Sequence, residues 1–243
     1  MFSRVDESKF LVGPAFQPVG PSQSAMIPKR IFCTHVSEHT LDLKLRYCID
    51  LMKKLHPDWD FVFFSDGDCE DFVRRECPEF LELYQWYPRP VLKADLFRLL
   101  VVWRLGGFYL DTDFLPKEAL DPLCDEAAVF AYEHVIDQAE YDLRYPRWMR
   151  TREQTRTLAN YAFGAEPGHP FVRAILDELI SRTRALEVED VTDLDVLHAT
   201  GPDAVTTVYY RDQECWQDVV LLEAERAGLG PYGVHLVHGS WRR

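Results

Sequence analysis

Three things are scarce in this 243-residue chain: positive charge, long apolar runs and paired cysteines. Lys and Arg number 27 against 40 Asp and Glu, a net charge of −13. Binding to nucleic acid rests on Lys and Arg neutralising phosphates, so this balance argues against that partner. It also argues against adsorption to an anionic membrane surface. No stretch approaches the ~20 apolar residues that a membrane-spanning helix needs. The first residues scatter Arg4, Asp6, Glu7 and Lys9 among apolar ones and lack the basic, apolar and small-residue order of a secretory signal. A cytoplasmic location is the expectation. The six cysteines (Cys33, Cys48, Cys69, Cys77, Cys124, Cys215) form no CxxC pair and no even spacing. They read as reduced, mostly buried thiols, with a lone catalytic cysteine as the less ordinary alternative. Internal repeats and low-complexity segments are absent as well.

What is present suits one α/β domain. Apolar residues make up 47% of the chain, and 15 Phe, 11 Tyr and 6 Trp supply a core and a stacking surface. Residues 1–25 are rich in Pro and Gly and read as an irregular leader before a single domain over 26–243. Arg30–His35 reads as a first core strand. Leu41–His56 carries apolar residues at helical spacing and stops at Pro57. Phe61–Phe64 is a continuous apolar run, as buried parallel strands tend to be. Ser65-Asp66-Gly67-Asp68 then opens a short helix through Cys77. Strand, helix, strand, helix begins a mostly parallel sheet with helices on both faces.

Further along, a helix is expected over Leu92–Leu105 and short strands over Phe108–Leu110, Val129–Tyr132 and Leu158–Phe163. The polar stretch Glu133–Thr157, with Tyr141, Tyr145 and Trp148, reads as an excursion over the ligand edge. Phe171–Arg184 is an amphipathic helix, and Glu187–Asp195 an acidic linker. Helices are expected at Asp203–Tyr210 and Gln217–Ala227, and a last strand at Val234–His238.

In such sheets ligands lie beyond the carboxyl ends of the strands. Thr34, His35, Ser65 and Asp66 occupy those ends; they are either nucleotide contacts or ordinary turn and cap residues. The helix Leu92–Leu105 is apolar almost all round, as buried helices are. It nevertheless holds Asp95 and Arg98, three apart and so on one face. Either they pair internally or both point into a polar cavity. Next, the apolar strand Phe108-Tyr109-Leu110 delivers Asp111 and Asp113, separated by one residue. Sheet stability asks for neither: Asp disfavours strands, and like charges repel. A hard divalent cation, Mn²⁺ or Mg²⁺, resolves the repulsion while keeping sites for phosphate oxygens.

The combined blocks Lys93-Ala94-Asp95-Leu96-Phe97-Arg98 and Gly106-Gly107-Phe108-Tyr109-Leu110-Asp111-Thr112-Asp113 resemble glycosyltransferase family 32, the group with a DXD sugar-binding motif. The glucosylating clostridial toxins share a similar core. The resemblance extends to Ile27-Pro28-Lys29-Arg30-Ile31, Asn160 to Gly164 with Gly168-His169-Pro170-Phe171, Thr200-Gly201-Pro202, and His235 through His238-Gly239-Ser240-Trp241. One departure is Phe32-Cys33-Thr34-His35, where the family usually has His-Gln-x-Trp. The resemblance implies a GT-A type fold and a metal-dependent, retaining hexosyltransferase that moves a hexose or N-acetylhexosamine. Its donor is expected to be a nucleotide-sugar, UDP-sugar favoured over GDP-mannose, and its acceptor a glycan, small molecule or lipid-linked hydroxyl.

It also implies roles. Asp113 coordinates the metal, and Asp111 holds the ribose and the metal's water shell. Asp95 and Arg98 bind donor-sugar hydroxyls, and Tyr109 lies beneath the nucleotide. His238 and Ser240 complete the metal and diphosphate site, Trp241 donates to a phosphate, and Asn160 approaches the sugar from the acceptor side. A front-face mechanism, in which the leaving phosphate helps deprotonate the acceptor, needs no carboxylate nucleophile. Two rivals use the same residues: a Mg²⁺-dependent phosphohydrolase, with Asp111 as nucleophile, and a non-catalytic nucleotide-sugar-binding module.

Overall fold

The computed structural model describes residues 26–135, 139, 156–186, 191–223 and 227–239. Among them β1 is Arg30–Thr34, α1 Leu43–Leu55, β2 Asp60–Phe64, α2 Asp66–Glu76, α3 Leu81–Trp86 and α4 Pro90–Leu105. There follow β3 Gly107–Leu110, β4 Phe114–Pro116, β5 Ala128–Val135, β6 Arg156–Leu158, β7 Ala162–Ala165, α5 Pro170–Thr183, α6 Asp193–Ala199, α7 Pro202–Arg211, β8 Val219–Leu222 and β9 Gly233–His235. Seven strands form the main sheet in the order β2-β1-β3-β7-β5-β6, with β8 also on β5. Strands β1, β2, β3, β5 and β8 run one way, and β6 and β7 run against them. The expected mostly parallel sheet is therefore what the chain builds.

Alternation along the strands sorts side chains onto two buried faces. Phe32, Tyr109, Phe130 and Phe163 face α2 to α7, with Phe97, Leu100, Phe171 and Val205 packed against them. Ile31, Cys33, Phe108, Leu110 and Val129 face the other way, onto Cys48 and Met52 of α1 and onto Phe114 and Leu123. Five cysteines are buried and Cys215 is exposed, and all six are free thiols. No helix among the described residues is long and apolar enough to cross a membrane.

Two junctions set the site. Asp42 caps α1, accepting from the amides of Lys44 and Leu45 at 2.9 Å each. Gly106 ends α4 with φ 65°, and Gly107 follows at 121°. A Cβ on Gly106 would lie 2.6 Å from Pro167 and 2.9 Å from Pro28. Only glycine fits both that backbone and that space, and the turn feeds β3 directly into the centre of the sheet.

Several expectations need correction. The strand expected over Leu158–Phe163 is two strands, broken at Ala159–Tyr161 as the chain passes from β6 to β7. The helix expected over Gln217–Ala227 is instead β8, because the Val219-Val220-Leu221-Leu222 run pairs parallel with β5. The acidic linker gives way to α6 at Asp193, where Thr192 and Asp195 form a reciprocal capping box. The last strand ends at His235. The leader, Tyr141, Tyr145 and Trp148 of the excursion, and Ser240 and Trp241 lie outside the described residues.

Candidate active site

The cleft opens at the edge where β1 and β3 end. One face of α4 forms a wall, since Val91, Ala94, Asp95 and Arg98 recur at helical spacing and all line it. The two readings of Asp95 and Arg98 prove compatible: they pair, and the pair faces the cleft. Asp95 is 3% exposed and Arg98 6%. Arg98 Nη1 lies 3.1 Å from Asp95 Oδ1 and donates to the Asn160 carbonyl at 3.1 Å. Asn160 Nδ2 donates to Asp95 Oδ1 at 3.2 Å, and the Thr200 hydroxyl donates to Asp95 Oδ2 at 2.7 Å. Arg98 also lies over the Tyr109 ring, 5.0 Å from its centre. Burial pushes Asp95 up to about 6, although Arg98, Thr200 and Asn160 all favour its charged form.

Arg98 reaches across to the second group, with Nη2 3.4 Å from Asp111 Oδ1. The Tyr109 hydroxyl donates to that same oxygen at 2.9 Å. Immediately after Asp113 comes β4, which pairs antiparallel with β9 in the register Phe114 opposite His235. That pairing carries an imidazole from 122 positions away in sequence onto the carboxylates. His235 Nε2 lies 3.0 Å from Asp113 Oδ1 and 3.7 Å from Asp111 Oδ2. Its ring stacks on Tyr161 at 4.0 Å and 8°. Burial opposes charge on His235, but the hydrogen bond to Asp113 and the charges of Asp111, Asp113 and Glu133 outweigh it, so its pKa is raised. Burial likewise opposes charge on Asp113. There the His235 hydrogen bond and charge, with the His238 amide, win and hold the carboxyl below its ordinary value.

The histidine beside the carboxylates is thus His235, where the sequence pointed to His238. The His238 side chain instead meets Asp42, with Nε2 3.2 Å from Oδ2. Only its backbone amide touches the pair, donating to Asp113 Oδ2 at 2.7 Å. The remaining expected contacts divide. Thr34 and His35 line the cleft, the Thr34 hydroxyl donating to the Phe64 carbonyl and the His35 ring meeting the Thr40 hydroxyl. Ser65 is engaged as the cap of α2, its hydroxyl accepting from the Asp68 amide. Thr200 and Glu133, not singled out by sequence, both belong to the site's surroundings. Thr200 stands in the Thr-Gly-Pro turn, and Glu133 opens the stretch expected to leave the sheet over the ligand edge, although β5 runs on to Val135.

The donor set fits a divalent cation. Asp111, Asp113 and His235 offer two carboxylate oxygens and one imidazole nitrogen, all within 4.8 Å of one another. Hard ions of this class accept such oxygens and keep positions for further ligands. The charge count agrees. Among the described residues the lining includes Asp66, Asp95, Asp111, Asp113 and Glu133 against one guanidinium, Arg98.

Superposition on solved structures gives the class of this mixed α/β sheet with its Asp-x-Asp pair: a GT-A type glycosyltransferase fold. PaToxG glycosyltransferase superposes with a TM-score of 0.51 at 16% identity, over 78% of this chain and 71% of that one. The UDP-bound glycosyltransferase domain from the YGT toxin does so at 0.52 and 10% identity, over 90% and 83%. Residues 43–130 match the glycosyltransferase sugar-binding region containing the DXD motif. Inositol phosphoceramide mannosyltransferase 3 of Schizosaccharomyces pombe is 28% identical over 215 residues, 84% of this chain and 52% of that protein. Mannosyl phosphorylinositol ceramide synthase SUR1 of Saccharomyces cerevisiae is 26% identical over 204 residues, 82% and 46%. The chain spans about half the length of these curated relatives.

Proposed function

We propose that residues 26–243 form one glycosyltransferase domain that moves a hexose from a nucleotide-sugar to an acceptor hydroxyl in a metal-dependent, retaining reaction. The observation that carries this reading is the composition of the cleft. Among the described residues, five carboxylates and one arginine line it. Such a surface repels a diphosphate unless a cation intervenes. Asp111, Asp113 and His235 would hold that cation, which when bound neutralises charge on the leaving diphosphate.

The chain's own residues supply the rest. Asp95 and Asn160 form a hydrogen-bonding wall for sugar hydroxyls, held in one geometry by Arg98 and the buried Thr200. Fixing the sugar before reaction removes orientational cost from the barrier. Tyr109 fixes Asp111 through its hydroxyl. In a front-face transfer the departing phosphate oxygen takes the acceptor proton, so retention needs no enzyme nucleophile. We read the donor as a mannosyl nucleotide, because both curated relatives above are named for mannosyl transfer. The sequence had favoured a UDP-sugar, and the UDP-bound toxin domain, at 10% identity, speaks only to fold.

Nucleotide release from GDP-mannose, UDP-glucose and UDP-N-acetylglucosamine, with Mn²⁺ or with chelator, tests the reading. Metal-dependent release from GDP-mannose is expected. Release of phosphate from simple phosphomonoesters without nucleotide-sugar turnover would replace it with a phosphohydrolase.

A further inference from the structure

Glu133 reaches the cleft by a route of its own. Strands β3 and β5 both run against β7, so they deliver their carboxyl ends to the same edge of the sheet. From Tyr132 to Val135 β5 takes three steps, while its partner β6 takes two, from Leu158 to Arg156. The extra residue is a bulge, a device that re-aims side chains beside functional sites. Glu133 sits in that bulge and lines the cleft with Asn160, Tyr161 and His235. The buried Thr157 hydroxyl donates to its Oε2 at 3.3 Å. Burial foremost, then the Glu133 charge, raise the Tyr161 hydroxyl, and the same charge is felt at His235.

The neighbours locate it. Asn160 belongs to the sugar-side network, and His235 belongs to the carboxylate pair. Tyr161 joins the two, adjacent in sequence to Asn160 and stacked on His235. The bond broken in the transfer joins sugar to diphosphate, so it lies between those two groups and beside Glu133.

Resting on the function read above, we propose that Glu133 is the acceptor-side residue of the site: its carboxylate accepts the hydrogen bond of the attacking hydroxyl and orients it toward the anomeric carbon. In that step the bond from acceptor oxygen to anomeric carbon forms. The bond from that carbon to the phosphate oxygen breaks, its electron pair leaves with the diphosphate, and the acceptor proton passes to the departing oxygen. Glu133 ends unchanged.

The test uses Glu133→Ala and Glu133→Gln in the full chain, with GDP-mannose as donor and methyl α-D-mannopyranoside as acceptor probe. Each variant's turnover is divided between mannosylated probe and free mannose, and donor affinity is measured by calorimetry in the presence of Mn²⁺. Removing a charged hydrogen-bond acceptor from the attacking hydroxyl is expected to lower the transfer-to-hydrolysis ratio about 10- to 100-fold in Glu133→Ala. The loss is smaller in Glu133→Gln, which keeps an acceptor oxygen, and donor affinity stays within about threefold. An unchanged ratio in Glu133→Ala overturns the proposal. So does a parallel loss of donor affinity, which would make Glu133 part of the donor site. Loss of both hydrolysis and transfer in Glu133→Gln with donor binding kept overturns it too, in favour of a nucleophile. A wild-type chain that turns over none of the three donors overturns the functional reading as well; the other outcomes overturn this one alone.

Discussion

Replacing Asp95 by Asn is expected to stabilise the metal-free protein at neutral pH and to leave it unchanged in acid. Asp95 is 3% exposed, and burial lifts its pKa from 3.8 to about 6 against the pull of Arg98, Thr200 and Asn160. A carboxyl whose folded pKa lies above its unfolded one holds a proton more tightly in the native state. Stability therefore falls as pH rises between about 4 and about 6. That gap is worth about 3 kcal/mol at most. Asn keeps an oxygen for Asn160 and Arg98, can donate its amide to the Thr200 hydroxyl, which lies 2.7 Å from Asp95 in the wild type, and cannot ionise. The difference in stability between variant and wild type should be near zero below pH 4 and climb to about 3 kcal/mol by pH 7, in the variant's favour. In a domain of this size that corresponds to about 6–12 °C in melting temperature. Melts in EDTA at half-unit pH steps give the curve directly, and groups unaffected by the change cancel from it. A difference that does not vary with pH would refute the reasoning. So would a wild type more stable than the variant at pH 7, since the Asp95–Arg98 attraction would then outweigh burial.

Two other perturbations separate neighbouring residues. His235→Ala is expected to weaken Mn²⁺ binding more than about 10-fold, and His238→Ala to shift it less than about threefold, because His238 touches Asp113 only through its backbone amide. In the wild type Mn²⁺ affinity should fall as pH drops below the raised pKa of His235, since the ion must displace that proton. Manganese titrations followed by electron paramagnetic resonance check both; equal losses in the two variants would contradict the assignment. Gly106→Ala combines a left-handed backbone with a Cβ against Pro167 and Pro28, and should cost about 2–4 kcal/mol in urea unfolding.

How much of this was legible in the sequence follows from range. Asp111 and Asp113 stood out because an apolar strand had no reason of its own to carry them. Asp95 and Arg98 stood out because a helix apolar all round had to account for its charges. Both are local signals. His235 opened the closing block of the family resemblance, but its place beside the carboxylates was not legible, since it arrives through the pairing of two three-residue strands, β4 and β9, and such pairings leave almost no periodicity. His238 drew the eye by its place beside Ser240 and Trp241, and its side chain went to Asp42 instead. Glu133 was hidden for a related reason, because a bulge is a property of two strands together. The α6 start was legible in principle: Thr192 and Asp195 have the spacing of a capping box, masked by the acidic run before them. At Gln217–Ala227 the β-branched pair Val219-Val220 was the better guide than the flanking helix formers.

The central claim is that this acidic cleft binds a nucleoside diphosphate only through a divalent cation held at Asp111, Asp113 and His235. Calorimetric titration of GDP and of UDP into the protein, with Mn²⁺ and with EDTA, and repeated with Asp113→Asn, tests it most directly. The account predicts binding of at least one nucleotide with Mn²⁺, and its loss both on chelation and in the variant. Equal affinity with and without the ion, or an unchanged Asp113→Asn, would contradict it.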